Sequence, residues 1–516
     1  MFNRKLAMMF GVVIAAGILT SCNNGSVAST TTIATPAMGS LITIVQDAPI
    51  CDAISANITI SGLTLTPTNG ANDYPYIANT PSFAPSIRVN LQQLRDFNSI
   101  LYVFNVFTGS YKQGNYALQL AQVATFEPTL TPPVKLLTTS LTANRPVVPF
   151  NPPLVVAQGV ANVMLVDFDI LRMLQVDSAG QITGSLTPVI SNTQLTANDT
   201  NGFGELEDLW GFVRTVSTSN LTTNPNYTGS FLMQLFSPST AGAPAVSVNL
   251  TANTRNIGFV DLPHLLPDSY VEVDALLDSQ GNLVAKTVEF QALENPAPSN
   301  SSIKPSTSLI GPIVSITTDG AGNPTSFNLW VHDAEPDTPS DLVMDTIFQV
   351  NPVYGTTYQA SALGPNFANL TFGAQNLAVG QEVVVHGAYT KPPTSSSTSP
   401  LTPVQLTTVE PSAVFLKYQS LQGNLGSMLK IGSDDLTGAF TLNPCCTLWK
   451  GAPIYVITNN QTRYVNASGL GSFSSQASML IKGLPIFERN AMIVNGVSIP
   501  AGSMVLQAKQ VHILQP

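Results

Sequence analysis

"LWGFV" (209–213), "LIGPI" (309–313) and "LQGNL" (421–425) repeat one pattern, Leu-x-Gly-x-aliphatic, in the second half of a 516-residue chain. A strand-like segment with a central phenylalanine follows each of them: "GSFLMQLF" (229–236), "TSFNLWV" (325–331) and "GAFTLN" (438–443). A glycine inside a strand marks a bulge or a tight bend, which lets a small sheet curl. We therefore expect Gly211, Gly311 and Gly423 to be structural requirements of three repeated curled sheets.

Each repeat offers about five short strands, and the last is "LVAKTVEF" (283–290), "VQLTTVEP" (404–411) or "VLQAKQVHI" (505–513). Five strands suffice for a small barrel whose closure removes exposed edges. This pattern resembles an uncharacterised bacterial family of small barrel domains that occur in tandem on exported proteins. The predicted units are 205–293, 302–415 and 416–516, and about 100 residues is enough for one core, so we expect each to fold independently.

Residues 39–200 carry no trace of the repeat. They contain Asp47-Ala48-Pro49, Gly114-Asn115-Tyr116, Val166-Asp167-Phe168-Asp169 and Leu186-Thr187-Pro188-Val189, in that order. Together these motifs resemble an uncharacterised family of bacterial lipoprotein domains. The resemblance implies a transthyretin-like antiparallel β-sandwich, so the predicted fold class is all-β, a sandwich followed by three five-stranded barrels.

The N-terminus resembles a lipoprotein export signal. Arg4 and Lys5 precede an apolar run over 6–19 that is shorter than the ~20 residues of a membrane-spanning helix. The segment Leu19-Thr20-Ser21-Cys22 resembles the bacterial lipobox. We expect a signal peptide over 1–21, lipid attachment at Cys22 and a flexible tether over 22–38; the alternative is an ordinary signal peptide with a chance cysteine. Asn23, where aspartate would favour inner-membrane retention, indicates the outer membrane.

Composition limits the partners. Only 10% of residues are charged and the formal net charge is −10, which argues against nucleic acid and anionic lipid headgroups. Mean hydropathy is +0.20, yet no second apolar run reaches the length of a transmembrane helix. The expected partners are the membrane through the lipid anchor and, beyond it, glycans or other envelope proteins.

Three cysteines remain after Cys22. Cys445 and Cys446 are adjacent, and a bridge between neighbours is strained, because their Cα atoms lie closer than disulfides favour. The sequence leaves open whether they pair with each other, pair with Cys51 or stay reduced. Pairing with Cys51 requires contact between the first and last domains.

Candidate catalytic residues are few. The sequence has no G-x-S-x-G elbow, no H-E-x-x-H and no P-loop. "VHDAEPDTPSDL" (331–342) gathers oxygen and imidazole ligands, but its spacing fits no known metal loop. The members of this acidic cluster are His332, Asp333, Glu335, Asp337 and Asp341.

Asp167 and Asp169 alternate with apolar residues, which predicts that they share one face of a strand. We interpret this as a solvated strand face; a carboxylate pair of the kind glycosidases use is the alternative. Trp210, Trp330 and Trp449 fall one in each repeat, but at unequal positions, which favours core packing over a repeated sugar platform. His264, His386 and His512 complete the histidines.

These patterns predict a lipid-anchored envelope protein that acts as a non-enzymatic structural or binding module, with no cofactor and an unknown ligand. The alternative is an envelope hydrolase or metal-dependent enzyme that uses the acidic cluster or the aspartate pair.

Overall fold

The computed structural model describes residues 37–514 of the chain. It leaves out the following parts of that range: 48–52, 78–86, 92–98, 138, 179–181, 199–201, 219–224, 236–244, 258, 268, 294–306, 335–344, 361–369, 390–403, 408–412 and 450–452. The regular secondary structure of the described residues is almost entirely β-strand, which confirms the all-β fold class.

The first domain is a ten-stranded sheet with a small three-stranded sheet beside it. Its elements are β1 (Met38–Asp47), β2 (Ala53–Pro67), β3 (Tyr74–Ile77), β4 (Ile87–Asn90), β5 (Ser99–Phe107), β6 (Gly109–Phe126), β7 (Val134–Leu137), β8 (Ser140–Leu141), β9 (Val147–Val156), β10 (Asn162–Phe168), α1 (Ile170–Met173), β11 (Leu174–Val176), β12 (Ile182–Leu186) and β13 (Ile190–Leu195). The large sheet runs β3-β2-β6-β9-β13-β10-β1-β5, and β4 and β7 pair with β2 and β6. We call this domain the sandwich, because residues of β1 and β10 share one apolar core with residues of β2 and β6.

The strand directions differ from the antiparallel arrangement that the resemblance implied. β1 pairs with β10 in parallel over 41–47, and β9 and β13 also meet in parallel. Parallel neighbours need a long crossover, and the residues between β1 and β10 supply it. The sandwich is therefore mixed.

The two edge strands of this sheet, β3 and β5, approach each other. The Tyr74 hydroxyl donates to the backbone carbonyl of Asn105 at 3.0 Å. The rings of Tyr74 and Phe107 meet edge to face at 4.9 Å. Side chains rather than backbone pairs thus cover edges that would otherwise invite further strands.

Barrels 1, 2 and 3 follow. Barrel 1 contains β14 (Gly204–Ser217), β15 (Tyr227–Leu235), β16 (Ala245–Thr251), β17 (Arg255–Ile257), β18 (Ser269–Leu277) and β19 (Leu283–Leu293). Barrel 2 contains β20 (Thr307–Thr318), β21 (Pro324–Val331), β22 (Asp333–Ala334), β23 (Thr346–Asn351), β24 (Thr357–Ala360), β25 (Glu382–Tyr389), β26 (Val404–Thr407) and β27 (Ala413–Leu416). Barrel 3 contains β28 (Gln419–Ile431), β29 (Gly438–Pro444), β30 (Ile454–Thr458), β31 (Arg463–Val465), β32 (Ser478–Glu488), β33 (Met492–Val494), β34 (Val497–Ile499) and β35 (Ser503–Ile513). Short 3-10 turns lie at Leu262–His264, Ala374–Asn376, Thr447–Trp449 and Leu470–Ser472.

All three barrels share one strand order. The first strand pairs with the second and the fourth, and the third pairs in parallel with the fifth, which returns to the fourth. In barrel 2 the fifth strand predicted over 404–411 is observed as β26, and β27 continues along β25 beyond the predicted end. This 1-2-3-5-4 order is the connectivity of the OB-fold.

The repeated glycine lies where the first strand passes between the second and the fourth. A Cβ atom at Gly211, Gly311 or Gly423 would overlap a backbone carbonyl oxygen of the second strand, that of Gln234, Trp330 or Asn443 respectively. None of the three has a positive φ. The requirement for glycine therefore comes from close backbone approach and not from a left-handed conformation.

Residues 37–516 form one compact unit, and apolar clusters join its parts. Ile42 and Ile44 of the sandwich pack into the cluster of barrel 1. Phe212 of barrel 1 packs with Phe415 of barrel 2, and the cluster of barrel 2 continues into barrel 3 through residues such as Leu484.

Candidate functional site

The outward residues of the second and third strands of each barrel, which we call the 2–3 face, form the candidate site. In OB-fold barrels this surface and its adjoining loops take oligonucleotides and oligosaccharides. Strand alternation buries Phe231, Phe327 and Phe440 inside the three barrels. Their neighbours in sequence therefore point outward, and the three faces can be compared position by position.

The sandwich covers the 2–3 face of barrel 2. Trp330 and Ile347 are fully buried there and pack with Ile54 of the sandwich. The indole Nε1 of Trp330 donates to the Ser55 hydroxyl at 3.0 Å. These positions of the face are therefore buried in a contact within the chain.

Barrel 2 covers part of the 2–3 face of barrel 3. Ala439 and Ile457, on the second and third strands, are fully buried and belong to the same apolar cluster as Phe348 of barrel 2. This face is also used inside the molecule.

Among the described residues, part of the 2–3 face of barrel 1 is exposed. Leu232 is 37% exposed, and Thr228, Ala245 and Ser247 around it are exposed as well. At the positions of Trp330 and Ile347, barrel 1 has the half-buried Gln234 and the exposed Ala245. At the positions of Ala439 and Ile457 it has Ser230 and Asn249, which are buried.

A charged side chain borders the exposed part of this face. Arg214 on β14 donates from Nε to the side-chain oxygen of Gln234 at 2.7 Å. Its guanidinium carbon lies 5.2 Å from the centre of the Phe212 ring, within cation–π range. The hydrogen bond and the ring hold Arg214 in place. Sequence analysis missed Arg214, Leu232 and Gln234, although aligning the three phenylalanine-containing strands would have revealed their unequal composition.

The predicted lipid-attachment residue Cys22 and Cys51 lie outside the described residues. The sulfur atoms of Cys445 and Cys446 are 3.9 Å apart, whereas a disulfide needs about 2.05 Å. The two neighbours are therefore not bonded to each other. Cys446 is buried and is not part of a disulfide, and Cys445 belongs to a disulfide.

The acidic cluster divides in the structure. His332 is buried and its Nε2 lies 2.7 Å from Oε1 of Glu382, on the fourth strand of barrel 2. Asp333 is in β22, and Glu335, Asp337 and Asp341 lie outside the described residues. Within the described part of the chain, no group of three or more His, Cys, Asp or Glu side chains is placed to hold a metal.

Asp167 and Asp169 do not share a strand, because β10 ends at Phe168. Asp169 instead caps the turn α1, where its carboxylate accepts from the backbone N–H of Arg172 at 3.1 Å. The expectation of a carboxylate pair on one strand face was wrong, since the capping preference of aspartate ended the strand one residue early.

Trp330, Trp449 and the histidines occupy separate environments, and the side chain of Trp210 lies outside the described residues. Trp330 is fully buried between barrel 2 and the sandwich, and Trp449 is half-buried. His386 is buried, and burial lowers the pKa of its imidazole below the usual value. His264 contacts Asp261 at the surface, and His512 lies 3.2 Å from the Asn466 amide.

Two regions of the chain match known families. Residues 38–188 match a family described as a domain of unknown function (DUF4382), and residues 239–289 match another described in the same words (DUF5666). The first match spans most of the sandwich, and the second runs into β19 of barrel 1. No curated protein matches the chain. Among the residues that the structure describes, no helix has the length and apolar character needed to cross a bilayer.

Proposed function

We propose that this chain is a lipid-anchored cell-envelope protein that acts as a non-enzymatic binding module, and that it presents the 2–3 face of barrel 1 to its partner. One observation carries the proposal. Parts of the 2–3 faces of barrels 2 and 3 are buried against other parts of the chain, whereas Leu232, Ala245 and Ser247 on that of barrel 1 are exposed. The partner class is an envelope glycan or an envelope protein, because the corresponding surface of OB-fold barrels takes oligosaccharides.

Binding to isolated envelope material tests the face. We expect Leu232→Asp combined with Gln234→Ala to reduce retention of the purified chain on peptidoglycan or outer-membrane fractions by about tenfold, since these residues lie at its centre. Lys430→Ala, an exposed change on barrel 3, is the matched control. Equal retention of both variants and the unmodified chain would show that the 2–3 face of barrel 1 does not bind this material.

The anchor rests on the lipobox, Leu19-Thr20-Ser21-Cys22, behind its basic and apolar segments. Cys22→Ala should release the protein from membranes, because acyl chains supply the attachment. Fractionation with a carbonate wash measures this release. A Cys22→Ala variant that stays in the membrane pellet would show that the lipobox interpretation is wrong. That result would not affect the proposal about the 2–3 face of barrel 1.

A further inference from the structure

Four exposed apolar side chains surround the point where the chain enters the sandwich. Met38, at the start of β1, is 36% exposed, and Phe107, Val155 and Val160 are 41%, 49% and 57% exposed. We call these four residues the entry patch. Single exposed apolar residues are ordinary, but neighbouring ones mark a surface that contacts a protein or a membrane.

Strand pairing brings Met38 and Phe107 together. They are direct partners in the antiparallel pair of β1 and β5, so their side chains lie side by side on one face of the sheet. The same face carries Ile42 and Ile44, which pack against barrel 1. Met38 and Phe107 lie beyond the cover of barrel 1, since both remain exposed.

The turn between β9 and β10 brings Val160 to the same end of the sandwich. The turn lies against the start of β1, because a Cβ atom on Gly39 would overlap the carbonyl oxygen of Ala157. The amide nitrogen of Asn162 donates to the carbonyl of Ser40 at 2.9 Å and to that of Val160 at 3.1 Å. These bonds fix the turn beside β1.

Val155 borders this end from β9. It pairs with Ser110, which follows Phe107 by three positions at the start of β6. Its backbone N–H donates to the side-chain oxygen of Gln194 at 2.8 Å, and the Gln194 amide nitrogen donates back to its carbonyl at 2.8 Å. The apolar side chain of Val155 is therefore presented to solvent by backbone that is held on both sides.

The backbone segments that carry the entry patch have no charged side chain. Residues 37–40, 105–110 and 155–161 contain no Asp, Glu, Lys or Arg, whereas the neighbouring turn between β2 and β3 contains the exposed Asp73. An uncharged apolar rim can enter the boundary between lipid headgroups and acyl chains without the cost of desolvating a charge.

The entry patch is close along the chain to the lipid attachment proposed at Cys22, on which its role rests. Cys22 stands 16 positions before Met38, and 16 residues span at most about 55 Å. A tether of that length makes contact with the membrane intramolecular, so a few apolar side chains suffice to hold the domain there.

We propose that the entry patch is a membrane-docking surface, which inserts into the interfacial layer of an uncharged bilayer beside the acyl anchor. Docking adds a second attachment to the lipid. It thereby sets the orientation of the compact unit 37–516 relative to the membrane, which the anchor alone leaves free.

Photo-cross-linking from lipid tests the entry patch. The purified full chain is bound to phosphatidylcholine vesicles that contain a diazirine-labelled acyl chain, irradiated, and digested for mass spectrometry. We expect adducts at Met38 and Val155 to exceed those at Val176 by about tenfold, since only the patch would lie in lipid. Val176 is the matched control, because it is 59% exposed in the same domain and follows the opposite end of β10.

A double substitution removes half of the patch without touching the residues that are read. Phe107→Ser combined with Val160→Ser should lower the adducts at Met38 and Val155 by about tenfold, because the remaining apolar surface no longer holds the sandwich in the bilayer. Val176→Ser should leave these adducts unchanged. All three changes are at exposed side chains, where substitutions alter stability little.

A second mode of attachment separates the docking surface from the lipobox. A chain that begins at Asn23, with hexahistidine at its amino end, binds nickel-chelating lipid in the same vesicles and needs no acyl chain. The same adduct pattern is expected there whether or not Cys22 carries lipid. Adducts at the entry patch no greater than those at Val176 in this experiment would overturn the docking surface. So would a dimer, detected by sedimentation, that the Phe107→Ser and Val160→Ser pair dissociates, because a second copy of the chain would then cover the patch.

Discussion

At Gly423 a neighbouring backbone carbonyl leaves no room for a side chain. A Cβ atom there would overlap the carbonyl oxygen of Asn443 and lie 2.9 Å from Cγ of Leu442. Gly423→Ala should lower the free energy of unfolding of barrel 3 by about 1–3 kcal/mol, the usual cost of overpacking. Calorimetry of the full chain measures the resulting shift of the unfolding transition. Gly320→Ala is the control, because nothing lies within 4 Å of its Cβ position; an equal loss at Gly320 would contradict the explanation by close approach.

His386 predicts a dependence of stability on pH. Burial lowers the pKa of its imidazole, so the unfolded chain takes up a proton near pH 6.5 while the folded chain stays neutral. Stability is then fully present above about pH 6.5 and falls below it, by at most about 1.4 kcal/mol per pH unit, until the lowered pKa is reached. Urea midpoints at pH 7.5 and 5.5 measure the effect. His386→Gln should flatten this dependence and exposed His264→Gln should not; the reverse result would assign it elsewhere.

Single residues also show the limits of sequence reasoning. The three repeated glycines could be predicted, because one pattern in three copies points to one backbone requirement. The contact of His332 with Glu382 could not, since 50 residues separate the two and only the pairing of strands brings them together. Asp169 illustrates a different failure: strand alternation and helix capping both suit this aspartate, and local alternation alone does not decide between them.

At the scale of elements, β21 shows one strand serving two cores. Its inward residues fill barrel 2, while Trp330 on the outward side packs against the sandwich. Trp330→Ala should lower the free energy of unfolding by about 3–5 kcal/mol, because it empties a fully buried site. Trp330→Phe keeps most of the volume and loses the hydrogen bond to Ser55, for a cost of about 1 kcal/mol. Denaturant unfolding of both variants separates the contribution of the buried ring from that of the hydrogen bond. Equal losses of unfolding free energy would show that the hydrogen bond dominates.

The strands of each repeat followed from alternation and from glycine, whereas two features of the elements did not. The short strands β17, β24 and β31, which run parallel to the end of each fifth strand, have three or four residues and carry too little periodicity to detect. The parallel pairing of β1 with β10 depends on a contact across more than 100 residues. Local sequence patterns therefore predict neither these short strands nor the long-range strand pairing.

At the scale of the whole molecule, barrel 3 depends on its neighbour. It has an interior of its own, with Phe440 and Leu442, but Leu484, Ile486 and Val505 belong to the cluster of barrel 2. The sequence predicted that 416–516 folds alone. We expect this fragment to fold with a stability several kcal/mol below that of 302–516, at about 1.5–3 kcal/mol for each exposed aliphatic side chain.

Calorimetry of the two fragments, with sedimentation to follow self-association through the exposed apolar side chains, measures the difference. A monomeric 416–516 fragment as stable as the pair would show that the shared cluster contributes little. The sequence could not predict this dependence, because an outward aliphatic residue on a strand looks the same whether water or a neighbouring barrel covers it.

The position of β1 has a mechanical consequence. This strand begins at Met38 and lies between β10, its parallel partner, and β5, its antiparallel partner. A force applied at the amino end of β1 along its axis would load the hydrogen bonds to both neighbours together, in shear, and would not peel them one at a time. β1 therefore resists a pull along its axis through two sets of hydrogen bonds at once.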